Sequence, residues 1–189
     1  MNKEVIADTP VMKQFLDIKS KYNDTIILFR MGDFYETFLD DAVITSKVLG
    51  IVLTKRANGK ASDVNLAGFP HHSLDNYLPK LVKAGYRVAI CEQIEDPKTT
   101  KGIVKRDVVE VVTPGTLTAD KTLTDKSNRY IGSMFFKKNV IGVAFLDSST
   151  GEFHVGQCKK ENINNILLKF TPQEVVLSKK VVYSGVRLT

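Results

Sequence analysis

Apolar residues recur along this chain at two different periods, and the switching between them lays out its elements. Val11, Met12, Phe15, Leu16 and Ile18 follow Thr9-Pro10, an apolar set at helical spacing behind a hydroxyl cap and a proline at the first helical position. This predicts an amphipathic opening helix. Residues 25–31 (TIILFRM) form a short β-branched and apolar run stopped by Gly32-Asp33, too short for a helix and read as a buried strand. A second extended stretch covers 34–38, a helix 39–49 is ended by Gly50, and 51–55 reads as another strand. The polar, glycine-bearing segment 57–63 reads as a loop. A helix over 73–84 ended by Gly85 follows, then strands at 87–93 and 107–113 joined by a basic loop with Pro97 and Gly102.

The pattern breaks at Thr113-Pro114-Gly115-Thr116, and 117–128 is polar and threonine-rich without a period. A domain boundary is placed there, giving 1–116, a linker over 117–128, and 129–189. The last part reads as a three-strand meander, 131–136, 141–147 and 152–155, with tight turns at 138–139 and 148–151. A helix at 161–170 and a strand at 174–177 follow. Alternating strands and helices predict an α/β (α+β) fold, a mixed β-sheet with flanking helices. The second unit has only about sixty residues, a marginal size that reads as part of a domain.

Composition narrows the class. Hydrophobic residues make up 43% and charged residues 25%, values of ordinary globular protein, and no window reaches the ~18 apolar residues a membrane helix needs. Residues 1–10 lack the apolar core of a signal peptide, and Cys91 and Cys158 have neither CxxC spacing nor disulfide density, so a cytosolic protein with reduced thiols is expected. The net charge of +6 points to a polyanionic partner. It is unevenly placed: residues 1–116 carry 16 Lys and Arg against 15 Asp and Glu, the remainder 11 against 6. Two acid-free basic stretches, 42–62 and 97–106, lie in the first part. On composition alone each is a solvated face.

The chemistry-bearing stretch is RMGDFYETF at 30–38. In an extended 34–38 segment Phe34, Glu36 and Phe38 share one face, so a ring and a carboxylate stand side by side. Burying Glu36 without a partner costs several kcal/mol, so one end of that face should be open. Taken alone, a phenylalanine there is more often core and a glutamate a salt-bridged surface acid. Rival chemistries have less to stand on. Asp33, Glu36, Asp40 and Asp41 cluster in sequence, and Asp147 ends a strand as a metal-binding carboxylate of a nuclease does. Asp147, however, leads into Ser-Ser-Thr-Gly and reads as a turn residue, while Asp40-Asp41 suits a helix start, favouring the dipole. His71-His72 should point in different directions, and His154 is distant, so no zinc site is expected. No G-x-x-x-x-G-K-[ST] sequence is present, since Gly59-Lys60 is followed by Ala61. A metal-dependent nuclease-like domain and a protein-interaction module at 129–189 stand as the alternatives.

GDFYE at 32–36, together with TPVM at 9–12, LTKR at 53–56, AGFP at 67–70, NYL at 76–78, AICEQ at 89–93 and VTPGT at 112–116, resembles the N-terminal domain of the MutS family of DNA mismatch-repair proteins. The motifs run in order over nearly all of 9–116. Residues 129–189, with FLDSSTGEF at 145–153, are similar to the start of that family's connector domain, a ribonuclease-H-like α/β fold. The resemblance implies a DNA-binding fragment, not an enzyme. Phe34 would wedge at a mispaired base and Glu36 hydrogen-bond it, with Lys55, Arg56 and Met31 holding the backbone or lining the groove. It further implies mismatched or looped double-stranded DNA as partner, a second MutS subunit, a MutL-type protein, and a bacterial cytoplasmic setting at the nucleoid. ATP and Mg belong, on this resemblance, to the full-length parent, and no cofactor to the fragment.

Overall fold

The computed structural model describes residues 9–96, 100, 102–117 and 128–178. Contacts divide the chain into two units, Met1–Val112 and Thr113–Thr189, each with its own sheet. The linker read at 117–128 lies, except for Leu117 and Asn128, outside the described residues, as do 97–99 and 101 of the basic loop.

In the first unit, helix α1 (Pro10–Lys21) starts where the cap and proline predict: Thr9 accepts from the Met12 N–H at 3.4 Å. Its buried residues, Met12, Phe15 and Ile18, repeat every third position and face the sheet. Strand β1 (Thr25–Met31) turns through Gly32-Asp33 into β2 (Phe34–Phe38), and α2 (Leu39–Leu49) follows. Next come β3 (Thr54–Asn58), β4 (Ala61–Pro70), α3 (Leu74–Lys83), β5 (Arg87–Gln93) and β6 (Arg106–Val112). The sheet order is β3-β4-β2-β1-β5-β6, with β1 parallel to β5 and every other pair antiparallel. Helix α1 covers one face, and α2 and α3 pack against strands from the other. Under α1, the rings of Phe15, Phe29 and Phe38 meet edge-on with centroids 5.0 to 6.0 Å apart.

Two local expectations are corrected. The strand expected at 51–55 begins only at Thr54, and the loop expected at 57–63 is a hairpin, β3 to β4, turning through Gly59-Lys60 with Asn58 opposite Ala61. Gly59 takes φ +64°, the left-handed value that the first position of a two-residue hairpin turn demands. Asp40 and Asp41 stand in the first turn of α2, where the helix dipole favours them, and Asp41 is in addition a buried anion. Lys19 donates to it at 2.7 Å and the Ile27 N–H at 3.1 Å, so it ties α1, β1 and α2 together. Its burial raises the carboxyl pKa, against the opposing pull of Lys19.

The second unit carries β7 (Tyr130–Lys137), β8 (Val140–Asp147), β9 (Phe153–Lys159), α4 (Ile163–Phe170) and β10 (Glu174–Val176). Three antiparallel strands and a parallel fourth give the order β10-β7-β8-β9, a mixed α+β sheet. On one face Ile163 and Leu167 of α4 pack on Tyr130, Met134, Ile141, Val143 and Phe145. On the other, Phe135, Phe153 and Val155 are exposed, Val155 at 77%. Asp147 is a turn residue in the structure: its Oδ1 accepts from the Ser149 N–H at 2.9 Å, the Ser149 hydroxyl at 2.6 Å and the Thr150 N–H at 3.3 Å. Burial opposes its charge, but these donors hold its pKa below the usual carboxylate range.

Candidate nucleic-acid interface

Alternation along the strands and the observed register place Met31, Phe34, Glu36, Gly68 and Arg56 on the face of the first sheet that α1 covers further along. β2 therefore runs from solvent into the core. Phe34 is 47% exposed, Glu36 is partly buried, and Phe38 is fully enclosed beneath α1. Tyr35 and Thr37 point the opposite way and fasten the strand from behind. The Tyr35 hydroxyl donates to Glu92, and the Thr37 hydroxyl to the Ala67 carbonyl at 3.0 Å.

The turn that presents Phe34 is clamped on both sides. Arg30 Nε donates to the Gly32 carbonyl at 2.6 Å, and the His71 N–H donates to the Asp33 carbonyl at 2.8 Å. His71 Nδ1 lies 3.2 Å from that same carbonyl. The two histidine rings, expected to diverge, meet edge-on at 5.9 Å because they occupy a short 3-10 turn, His71–Ser73, and not a regular helix or strand.

Glu36 has a named counterion. Arg56 Nη1 stands 2.5 Å from Glu36 Oε2, with side-chain exposures of 32% and 19%. Burial nonetheless raises the Glu36 pKa, and Arg56, with Arg106 behind it, only partly offsets this. Gly68 sits opposite Glu36 in the ladder. A Cβ there would lie 2.8 Å from the Tyr35 carbonyl and 3.4 Å from Glu36 Cγ, so the glycine permits the close approach of the β2 backbone and puts no side chain beside the carboxylate.

Arg106 was not singled out from the sequence as a site residue, and it underpins the site. It is buried, donates through Nε to the Arg30 carbonyl at 2.5 Å and through Nη1 to the Val104 carbonyl at 2.8 Å, and lies over the Phe29 ring at 5.1 Å. Only the β5–β6 register, Gln93 opposite Arg106, brings it near residue 36, so no local signal announces it. Lys55 is placed differently from its neighbour. It is exposed, and strand alternation turns it to the sheet face opposite Arg56 and Glu36. Among the described residues no group of three or more His, Cys, Asp or Glu side chains is arranged to hold a metal ion.

An exposed ring beside a counterion-held carboxylate, on a strand fixed from both sides, has the chemistry to stack with and hydrogen-bond a flat ligand. Family models give the site its context. The model of MutS domain I matches residues 9–121, and that of MutS domain II matches residues 129–186. This chain belongs to the MutS family. The DNA mismatch repair protein MutS of Flavobacterium psychrophilum is 56% identical over 180 residues, covering 95% of this chain and 21% of that protein. Its namesake in Porphyromonas gingivalis is 52% identical over 174 residues, 92% of this chain and 20% of that protein. The MutS of Flavobacterium johnsoniae is 55% identical over 177 residues, 94% of this chain and 20% of that protein. The chain thus spans about a fifth of the length of these MutS relatives. No helix among the described residues is long and apolar enough to cross a membrane.

Proposed function

We propose that this chain is the mismatch-reading part of a MutS protein, in which Phe34 inserts at a mispaired base of duplex DNA and Glu36 hydrogen-bonds that base. The observation that carries the reading is the gradient along β2: an aromatic ring half in solvent, one strand step from a carboxylate, on a segment whose far end is locked in the core. Unstacking a base step with an apolar wedge costs a few kcal/mol, least where the pair is already defective. Stacking on an aromatic ring returns roughly 1 to 3 kcal/mol whatever the base. A ring on a rigid strand therefore measures the weakness of the pair it meets. Glu36 adds a check, because a carboxylate near phosphates is repelled by intact duplex unless a displaced base offers it a hydrogen bond.

The groove-lining role falls to Met31, which shares the face and stands opposite Phe34. Lys55, on the other face, is a candidate for a phosphate contact only. The chain by itself is no enzyme on this reading. ATP and Mg would be handled elsewhere in the full-length protein: Gly59-Lys60, the nearest approach to a phosphate-binding sequence, forms a two-residue hairpin turn and not a loop opening a helix, so it does not fit the nucleotide. A second MutS subunit to grip the duplex, a MutL-type partner and a cytoplasmic site at the bacterial nucleoid complete the proposal.

The test is Phe34→Ala in the full-length protein, titrated against matched and mismatched duplexes. The expected result is loss of mismatch preference with the fold intact and only a modest fall in melting temperature, since Phe34 is 47% exposed. A variant that discriminates as well as the parent would remove Phe34 from the mechanism.

A further inference from the structure

Arg56 lies next to Lys55 in a basic stretch and invites assignment to a phosphate, but its guanidinium is already engaged. Nη1 meets Glu36 Oε2 at 2.5 Å, and the guanidinium carbon lies 5.8 Å from the centre of the Phe38 ring, a buried platform that fixes where the arginine rests. Only Oε2 of Glu36 is engaged in this pair, which leaves Oε1 outside it as a second acceptor. We infer that Arg56 is a positioning residue for Glu36: it holds one carboxylate oxygen so that the other is presented in one orientation beside Phe34. The inference rests on the mismatch-reading proposal and adds to it the residue that sets its hydrogen-bonding partner.

Three observations converge. Glu36 is buried enough that its charge is disfavoured, and the guanidinium 2.5 Å away opposes that shift while fixing one of its oxygens. Gly68, opposite Glu36, puts no side chain beside the carboxylate; a Cβ there would clash with the Tyr35 carbonyl at 2.8 Å and touch Glu36 Cγ at 3.4 Å. The other cation of the neighbourhood, Arg106, is spent on the Arg30 and Val104 carbonyls and acts on Glu36 only at a distance. Arg56 is thus the cation that directly aims the carboxylate. Its planar fork suits this task, and a lysine, a point charge without the fork, fills it less well.

The roles of positioning residue and phosphate grip are separable in the full-length protein by titration of matched and mismatched duplexes over a range of salt. If Arg56 works through Glu36, Arg56→Gln lowers the mismatch-to-matched affinity ratio roughly tenfold, the size of one charge-assisted hydrogen bond. The salt slope on matched duplex stays as in the parent, and Arg56→Lys restores part of the ratio. In a Glu36→Gln background the same substitution has no further effect on the ratio. If Arg56 grips a phosphate, both duplexes weaken together and the slope falls by about 0.9. That result, or a loss that adds to Glu36→Gln, would overturn the inference while leaving the role of Phe34 standing. A parent protein without mismatch preference would overturn both readings.

Discussion

Glu36 and Gly68 face each other across one rung of the ladder, and each is there for the other. The carboxylate was legible in the sequence, because alternation from Phe34 to Phe38 puts every second side chain on one face. Its partner was not. Arg56 appeared only as one of two adjacent basic residues, and choosing between it and Lys55 takes the strand register that the 57–63 segment conceals. Two outcomes follow at this scale. Glu36→Ala should raise affinity for matched duplex, since the substitution removes a repelled anion and leaves Arg56 without its counterion; the mismatch-to-matched ratio then narrows from below. Weaker matched binding by that variant would contradict the repulsive role. Gly68→Ala should destabilise the first unit by roughly 1 to 3 kcal/mol, the usual penalty of overpacking, because the new methyl meets a backbone carbonyl that cannot step aside. Chemical denaturation followed by circular dichroism would measure it, and a neutral effect would show that the ladder can open there.

Elements announced themselves where a period met a stop signal. α1 has its threonine cap and first-turn proline, α2 ends on a glycine in the left-handed region, and β1 and β5 are apolar runs that, as a parallel pair inside the sheet, are buried on both faces. The β3–β4 hairpin was hidden because the strand ends beside its turn, 54–57 and 61–63, are polar and largely exposed, so neither period shows there, and a glycine in polar surroundings reads as a loop. The link among α1, β1 and α2 was hidden for a different reason: Lys19 and Asp41 are 22 residues apart and only the packed structure joins them. Breaking a buried pair from one side leaves an uncompensated charge and costs about 3 to 5 kcal/mol. Lys19→Met should fall at the low end of that range, as the lysine keeps a quarter of its side-chain surface in water. Lys19→Met/Asp41→Asn should recover part of the loss, because the amide can still accept from Ile27. Thermal melts of the two variants decide this, and equal stability of both would mean the pair is not the link.

At the scale of the whole molecule, the proposed function separates the reader from the grip. The first 116 residues are nearly charge-balanced, and affinity for duplex comes mainly from neutralised phosphates. Bending a site of 20 to 30 base pairs costs of order 1 to 6 kcal/mol, and one small domain cannot hold both arms of the bend. The chain of 189 residues should therefore bind DNA weakly at ~150 mM salt and with little preference for mismatches, although it carries Phe34. Fluorescence anisotropy with matched and mismatched duplexes tests this; tight, selective binding would mean that the domain bends DNA unaided.

The second sheet carries a consequence for how the protein behaves in a tube. Among the described residues, Phe135 on β7, Val140 and Leu146 on β8, and Phe153 and Val155 on β9 are exposed together on the face away from α4, and β9 is the edge strand of the sheet beside them. Such a strand is a template on which a second molecule can add its own, with the apolar face sealing the contact. Concentrated stocks of the 189-residue chain should therefore thicken into oligomers as salt rises, since added ions screen the excess lysines of residues 117–189 that otherwise keep copies apart.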